Sequence, residues 1–257
     1  MKNISLYIVL ALFFMTLPCE KANALNESEA ATLYNHAGAQ YREGMFNEAL
    51  EMYEQLIAGG VVNPDLFYNA ANTAYRTDSI GKAVLYLERA LRLDPSDEDA
   101  IANLAFINSI KQDREPVNDN PVVAFIVGHY DAVNSNSAAR WSGISFAVAM
   151  LLVTALLFTS GLKRLAAGGA GIVFVLIFLV TTGTLIDKVH HGNTVKEAVI
   201  MTESAKAFSG PGGENTHIFT VHEGTKVVIE RQQNVWNLIR LKSGAGGWIQ
   251  AELMERI

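Results

Sequence analysis

Asn35, Asn69 and Asn103 recur at one constant spacing, and the first two follow tyrosines, Tyr34 and Tyr68. A side-chain amide carries both a donor and an acceptor, so a row of them can grip the main chain of an extended peptide. The same residues could instead cap local turns or face solvent. Catalytic chemistry has no comparable case. Gly143-Ile144-Ser145 begins like a nucleophile elbow, but Ala147 replaces its closing glycine and the surrounding run is apolar. No H-E-x-x-H, Walker loop or paired-cysteine site is present. His190-His191 is read as a solvated turn rather than a metal site. Cys19 is the only cysteine, which leaves no pair for a disulfide and, once a leader is removed, no thiol chemistry. We therefore expect a protein without catalytic residues, metal or cofactor.

The residues that position the asparagines repeat with them. The same spacing separates Leu33 from Phe67, Ala37 from Ala71, Tyr41 from Tyr75, Ala49 from Ala83, Tyr53 from Leu87, and Leu56 from Ala90. Ile101, Asn103 and Ala105 continue the series from Phe67, Asn69 and Ala71. Small residues at fixed positions let two antiparallel helices approach closely, and bulky ones pack around that contact. Gly44 opens the first turn, Leu93-Asp94-Pro95 closes the second unit, and a last helix is expected from about Ser96, as its cap, to Lys111.

This pattern resembles the tetratricopeptide family throughout 30–111. The resemblance implies helical repeats at about 30–63 and 64–97, a terminal helix at 98–111, and a concave partner-binding face. The matching positions are Tyr34, Asn35, Arg42, Tyr68, Asn69, Asn72, Arg76 and Asn103. The carboxylate-clamp subfamily needs basic residues or asparagine where Tyr34, Gly38 and Asp99 stand, so capture of a free C-terminus is not implied. Residues 25–118 hold 15 acidic and 7 basic side chains, which disfavours nucleic acid and favours a neutral or basic protein partner.

Two apolar runs, 141–162 and 165–186, contain no charged residue and no histidine, and each is long enough to match the roughly 20 residues that cross a bilayer. They lack the ionisable groups of transporters, so we read anchors; AAGGAG at 166–171 allows close helix contact within the pair. At the start, Lys2, the apolar stretch Ile4 to Leu17 and Ala22-Asn23-Ala24 read as a signal peptide over 1–24, and an uncleaved anchor would give the same topology. Export of 25–140 would leave Lys163 and Arg164 in the cytoplasm, as the positive-inside rule also expects. Both soluble parts then lie outside the inner (cytoplasmic) membrane. Within the linker 114–140, PVVAFIVGHYDAV (121–133) either lies in the interface ahead of Trp141 or packs as a short helix on the repeats.

From about Val195 the pattern changes to short alternating runs, with strands expected near 197–202, 216–221, 225–231, 235–241 and 246–250. AKAFSGPG, FTVHEGTKVVIE, VWNLIRL and GGWIQAELM over 192–257 resemble the bacterial SH3-like domain. Some members of that family bind cell-wall peptides. Trp236 and Trp248 are read as core and rim packing rather than a ligand platform.

The expected fold is therefore a multi-domain membrane protein: all-α tetratricopeptide repeats, two transmembrane helices and a small all-β SH3-like barrel. This arrangement, with the HEGT and GGW elements, resembles the BatE family of the Bacteroides aerotolerance operon. The resemblance implies a scaffold whose partners are membrane proteins carrying von Willebrand A domains, in a setting of oxidative-stress tolerance. A wall-binding or sensory role through the last domain, with peptidoglycan as the contact, is the alternative.

Overall fold

The computed structural model describes residues 26–113, 120, 122, 127–128, 130 and 133–257. The expected signal peptide, Cys19 and most of the segment 114–132 lie outside them.

Five helices come first: α1 (Glu27–Arg42), α2 (Phe46–Ala58), α3 (Pro64–Arg76), α4 (Ile80–Leu93) and α5 (Glu98–Ile110). The step from Phe46 to Ile80 equals that from Pro64 to Glu98 and that from Asn35 to Asn69, so the sequence period is a structural period. Asn26 caps α1 by accepting from the Glu29 amide, and Asn63 caps α3, with Pro64 in the first turn where its missing N–H costs nothing. The expected cap of α5, Ser96, is displaced by Asp97, whose carboxylate accepts from the Asp99 and Ala100 amides. The Ser96 hydroxyl donates to Asp94 Oδ1 at 2.6 Å instead. Gly44 turns with φ +81°, and at the equivalent place in the next unit Asp78 makes the same turn at φ 58°, a conformation aspartate tolerates better than most residues. Ala37, Ala49, Ala71 and Ala83 are buried at the helix crossings, surrounded by Leu56, Leu66, Leu85 and Leu87.

α6 (Ser135–Ala155) and α7 (Gly161–Thr194) form an antiparallel pair, both long and apolar enough to cross a membrane. Their limits differ from the charge-free runs. Asn134 caps α6 through the Ser137 amide, the chain leaves the helix after Ala155, and Lys163 and Arg164 fall in the first turn of α7. Ser142 Oγ lies 2.7 Å from Thr182 Oγ1, and Phe146 and Phe178 meet at 5.4 Å between centroids. A Cβ added at Gly171 would be 3.7 Å from Leu152, so the small-residue stretch faces α6. Most other large side chains of the pair are exposed, among them Leu157, Leu162, Ile172 and Val180. Within the segment 121–133, the Tyr130 hydroxyl bonds the Asp187 carboxylate and the Tyr130 ring lies 4.3 Å from Lys188 Nζ.

The remaining chain is one antiparallel sheet of seven strands. These are β1 (Lys196–Ile200), β2 (Ser204–Phe208), β3 (His217–His222), β4 (Lys226–Gln233), β5 (Trp236–Arg240), β6 (Gly246–Gln250) and β7 (Met254–Arg256), in the order β3-β2-β6-β5-β4-β1-β7. Five match the expected strands. β2 and β7 were not anticipated: the first is a short alternating run beside the Pro211-Gly212-Gly213 turn, and the second has only three residues. Ala198, Ile200, Val221, Val227, Ile239 and Ile249 form its core.

The sheet packs on the helices. Val199 is wholly buried within the helical core, with Met201 and Ile257 against the same cluster. Ser79, before α4, makes no side-chain cap; Glu223 Oε1 supplies one from the β3–β4 turn, accepting from the Gly81 amide at 2.7 Å. Gly224 turns there at φ +78°, and a Cβ on it would press to 3.2 Å from Ile80 Cγ2. Asp113, just past α5, accepts from the His222 amide at 2.7 Å, from His222 Nδ1–H at 2.9 Å and from the Thr225 hydroxyl at 2.9 Å. On the outer face of α4, Lys226 bridges Glu88 at 2.9 Å and Glu197 at 3.1 Å, and Arg89 reaches Glu255 at 3.0 Å. Burial opposes the charge on Lys226, and the two carboxylates outweigh it, so its pKa is raised.

This joint can be probed at a glycine and at a carboxylate. Replacing a helical glycine by alanine ordinarily stabilises by about 1 kcal/mol. Gly81→Ala is expected to do the opposite, because its Cβ would lie 2.9 Å from the Ile200 carbonyl oxygen and from Glu223 Cγ; thermal unfolding should show a lower Tm. Burial would raise the pKa of Asp113, but the bonds from His222 and Thr225 hold it below the ordinary aspartate value. Its contribution is therefore present above about pH 4 and is lost as pH falls through the lowered value. Asp113→Asn should lower Tm at neutral pH, and its deficit against the wild type should shrink on acidification.

Candidate partner-binding cleft

The helices that begin each pair, α1, α3 and α5, stand side by side and present one row of polar side chains. Between α1 and α3 is a cleft of about 520 Å³ lined by Tyr34, Asn35, Gly38, Tyr41, Arg42, Tyr53, Asn69 and Asn72. Five of the eight sequence-predicted residues line it. Of the others, Tyr68 and Asn103 flank it: the Asn103 amide donates to Asn72 Oδ1 at 2.8 Å and to Tyr68 Oη at 3.3 Å. Arg76 is turned away, its guanidinium 4.1 Å from the ring centroid of Phe46.

Two of the three asparagines of the row are engaged internally. Asn69 donates to Tyr34 Oη at 2.6 Å, repeating one unit earlier the bond between Asn103 and Tyr68. Asparagine thus ties each first helix to the tyrosine of the preceding one, a role distinct from gripping a peptide. Asn69 keeps its carbonyl and a second N–H, while Asn103 spends both N–H groups and keeps its carbonyl, so some capacity is left for a ligand.

Gly38, Tyr41 and Tyr53 were missed. Gly38 and Tyr41 lie four and seven residues after Tyr34, the spacing of one helix face, and that periodicity could have found them. Tyr53 belongs to α2 and pairs with Leu87 in the repeat register, which pointed only to packing. Its ring packs edge-on to Tyr34 at 5.9 Å and the residue is 2 % exposed. Its hydroxyl opens into the cleft and makes no hydrogen bond among the described residues. Burial, followed by the neighbouring Tyr34, pushes its pKa up to about 12, so it remains a neutral donor at physiological pH. Arg42 is the cation of the cleft; neither its side chain nor that of Asn35 is hydrogen-bonded or ion-paired among the described residues. Gly38 is small without being indispensable, since a Cβ would meet Arg42 Nη1 at 3.5 Å and Tyr53 Oη at 3.7 Å. Such a surface can accept hydrogen bonds, donate them and hold one negative group.

Trp248 is 8 % exposed and sits in the sheet beside Phe208 and Leu238, as packing. Trp236 is half-buried and meets Phe208 edge-on at 5.8 Å. No group of three or more metal-ligating residues occurs among the described residues.

No family model matches the chain. No curated protein matches it either. Among solved structures it is similar to the Sgt2 TPR domain from Aspergillus fumigatus, at 16% identity, covering 64% of this chain and 82% of that chain, with a TM-score of 0.30. At that score the likeness carries no argument, and the fold stands on the helix pairs described above.

The bond from Asn69 to Tyr34 gives a direct test of what the row does. Tyr34→Phe removes the acceptor and strands a half-buried donor, so unfolding by denaturant should show a loss of about 0.5–1.5 kcal/mol.

Proposed function

We propose that the chain is a membrane-anchored, non-enzymatic scaffold whose tetratricopeptide repeats hold a partner protein in the cleft between the first and second repeat. The observation that carries this reading is the convergence of Asn35, Arg42 and the unpartnered Tyr53 hydroxyl on one open cleft. The sheet, read as an SH3-like module, serves in this proposal to cap the repeats. The resemblance to the BatE family supports membrane proteins with von Willebrand A domains as partners, and aerotolerance as the setting.

In this reading α6 and α7 cross the inner membrane, and the soluble parts on either side of them in sequence work outside it. The contacts from Gly81, Arg89 and Asp113 to Glu223, Glu255 and His222 support a common side, because they join chain before the hairpin to chain after it. Lys163 and Arg164 support the orientation.

Asn35→Ala with Arg42→Ala tests the proposal, since neither side chain bonds within the described fold. Cross-linking in solubilised membranes should capture defined membrane proteins with the wild type and lose them with the double variant, at unchanged Tm. Equal capture by both would sink the cleft reading. Recovery of wall fragments alone would favour the sheet as the working surface. For the topology, single cysteines at the exposed Ser28, Ser160 and Ser243, in a chain carrying Cys19→Ser, are treated with an impermeant thiol reagent in intact cells with a permeabilised outer envelope. Ser28 and Ser243 should label; labelling of Ser160 alone would reverse the orientation.

A further inference from the structure

The hairpin between β4 and β5 ends in an apolar residue where polar residues are the rule. Gln233 pairs with Trp236, leaving Asn234 and Val235 as a two-residue turn. Asn234 has φ 53° while Val235 is not in the left-handed region, the sign pattern of a type II′ turn. Glycine or a polar residue suits such a tip, and valine gains little cover there: Val235 is 64 % exposed. Immediately behind it Trp236 is half-buried against Phe208, and Arg231 is exposed on the same hairpin. A valine apex, an amphipathic tryptophan and an arginine are the side chains that partition into the boundary between lipid chains and headgroups.

The chain's connectivity says where this tip is held. α7 ends at Thr194 and β1 begins at Lys196, so a single residue separates the second apolar helix from the sheet. The exposed apolar surface of α7 continues through Ile186 to Val189. From Val189 to Lys196 the chain can advance at most about 15 Å, part helix and part extended. β4 is antiparallel to β1, and Ile229 pairs with Lys196, the first residue of β1. β4 then runs on to Gln233, back toward the side from which α7 delivers the chain. That overhang of four residues spans about 13 Å, comparable with the distance from β1 to the end of the apolar helix surface. The opposite end of β5 carries the exposed polar turn around Ser243.

We propose that the β4–β5 tip seats in the headgroup layer of the bilayer that α7 crosses, with Val235 and Trp236 at the chain boundary and Arg231 on lipid phosphate. The hairpin thereby gives the soluble body a second membrane contact besides the spans, and fixes its tilt over the surface. This inference rests on the reading of α6 and α7 as membrane spans.

The test uses the full chain with Cys19→Ser, reconstituted in vesicles of phosphatidylethanolamine and phosphatidylglycerol. A polarity-sensitive fluorophore is attached at Val235→Cys, Ser243→Cys or Leu179→Cys, one site at a time. Val235 and Ser243 are exposed, so neither label disturbs packing. Leu179 lies mid-helix in α7 and reports the spans. The proposal expects blue-shifted emission at 235, quenching there by lipids carrying a headgroup-level nitroxide, and several-fold weaker quenching by aqueous iodide than at 243. Water-like emission at 235, with iodide quenching equal to that at 243, would overturn it while quenching of the 179 label by deep-chain nitroxide keeps the spans intact. Absence of lipid quenching at 179 would overturn the span reading, and the tip contact with it. Val235→Asp with Trp236→Ala provides an independent arm: Tm in detergent should be close to that of Trp236→Ala alone, while the mobility of a spin label at Ser243 in vesicles should rise. Unchanged mobility would count against the contact.

Discussion

The carboxylate of Glu223 caps a helix whose Gly81 amide lies 142 residues earlier in the chain. α4 starts without a side-chain cap of its own, so its first amides face the cost of being left unpaired near a packed surface. Glu223 fills that place as a cap would, bringing a negative charge to the positive end of the helix dipole. The approach is possible because both partners are free of a Cβ where they touch. Gly81 leaves room for the Ile200 carbonyl, and Gly224 turns the strand connection beneath Ile80 and Val84. Around this contact Val199 enters the helical core, a burial worth roughly 1.5–3 kcal/mol for a side chain of its size.

The joint matters because a short repeat array has two ends and little interior. Each repeat buries its apolar face only against neighbours, so a chain with two full pairs and one extra helix leaves much of α4 and α5 uncovered. The sheet covers α4. Its ion pairs, Lys226 with Glu88 and Glu197, and Arg89 with Glu255, lie at the edge of that contact. Exposed pairs add little stability and mainly set register. Lys226 is partly buried between two carboxylates, which hold it charged. The consequence extends beyond packing: the helices precede the apolar hairpin and the sheet follows it, so the joint can form only with both on one side of whatever the hairpin enters.

What the sequence revealed and what it hid follow from the range of the interactions. The helix pairs were legible because their packing recurs at a fixed period and leaves the same small residues in the same places. The apolar helices were legible from composition, although their ends were set by Asn134 and by the break after Ala155. Five strands showed as alternation; β7, at three residues, is too short to alternate. The joint was illegible, since Gly81, Asp113, Glu223 and Gly224 belong to no period and read singly as turn or surface residues. His222 to Thr225 did stand out as a motif, and the structure shows a local reason: this turn is where the sheet meets α4 and α5.

The cleft itself is chemically uneven, which constrains what can fill it. At the α1 end it offers Asn35, Arg42 and the Tyr53 hydroxyl, all with hydrogen-bonding capacity to spare. Toward α5 the amides are tied up by Tyr34, Tyr68 and one another. One helical step beyond Asn72 and Asn103 the surface turns aromatic, with Tyr75 and Phe106 edge-on at 5.7 Å and Phe106 51 % exposed. α5 buries Ala100 and Ile107 but leaves the large apolar side chains of Ile101, Phe106 and Ile110 exposed. A uniformly polar ligand would desolvate against Phe106 without return, and a uniformly apolar one would strand Arg42 and Tyr53. A chain that fills the whole surface must therefore present an anionic or amide-rich segment to α1 and an apolar one to α5. A chain held that way would be fixed in direction as well as in composition.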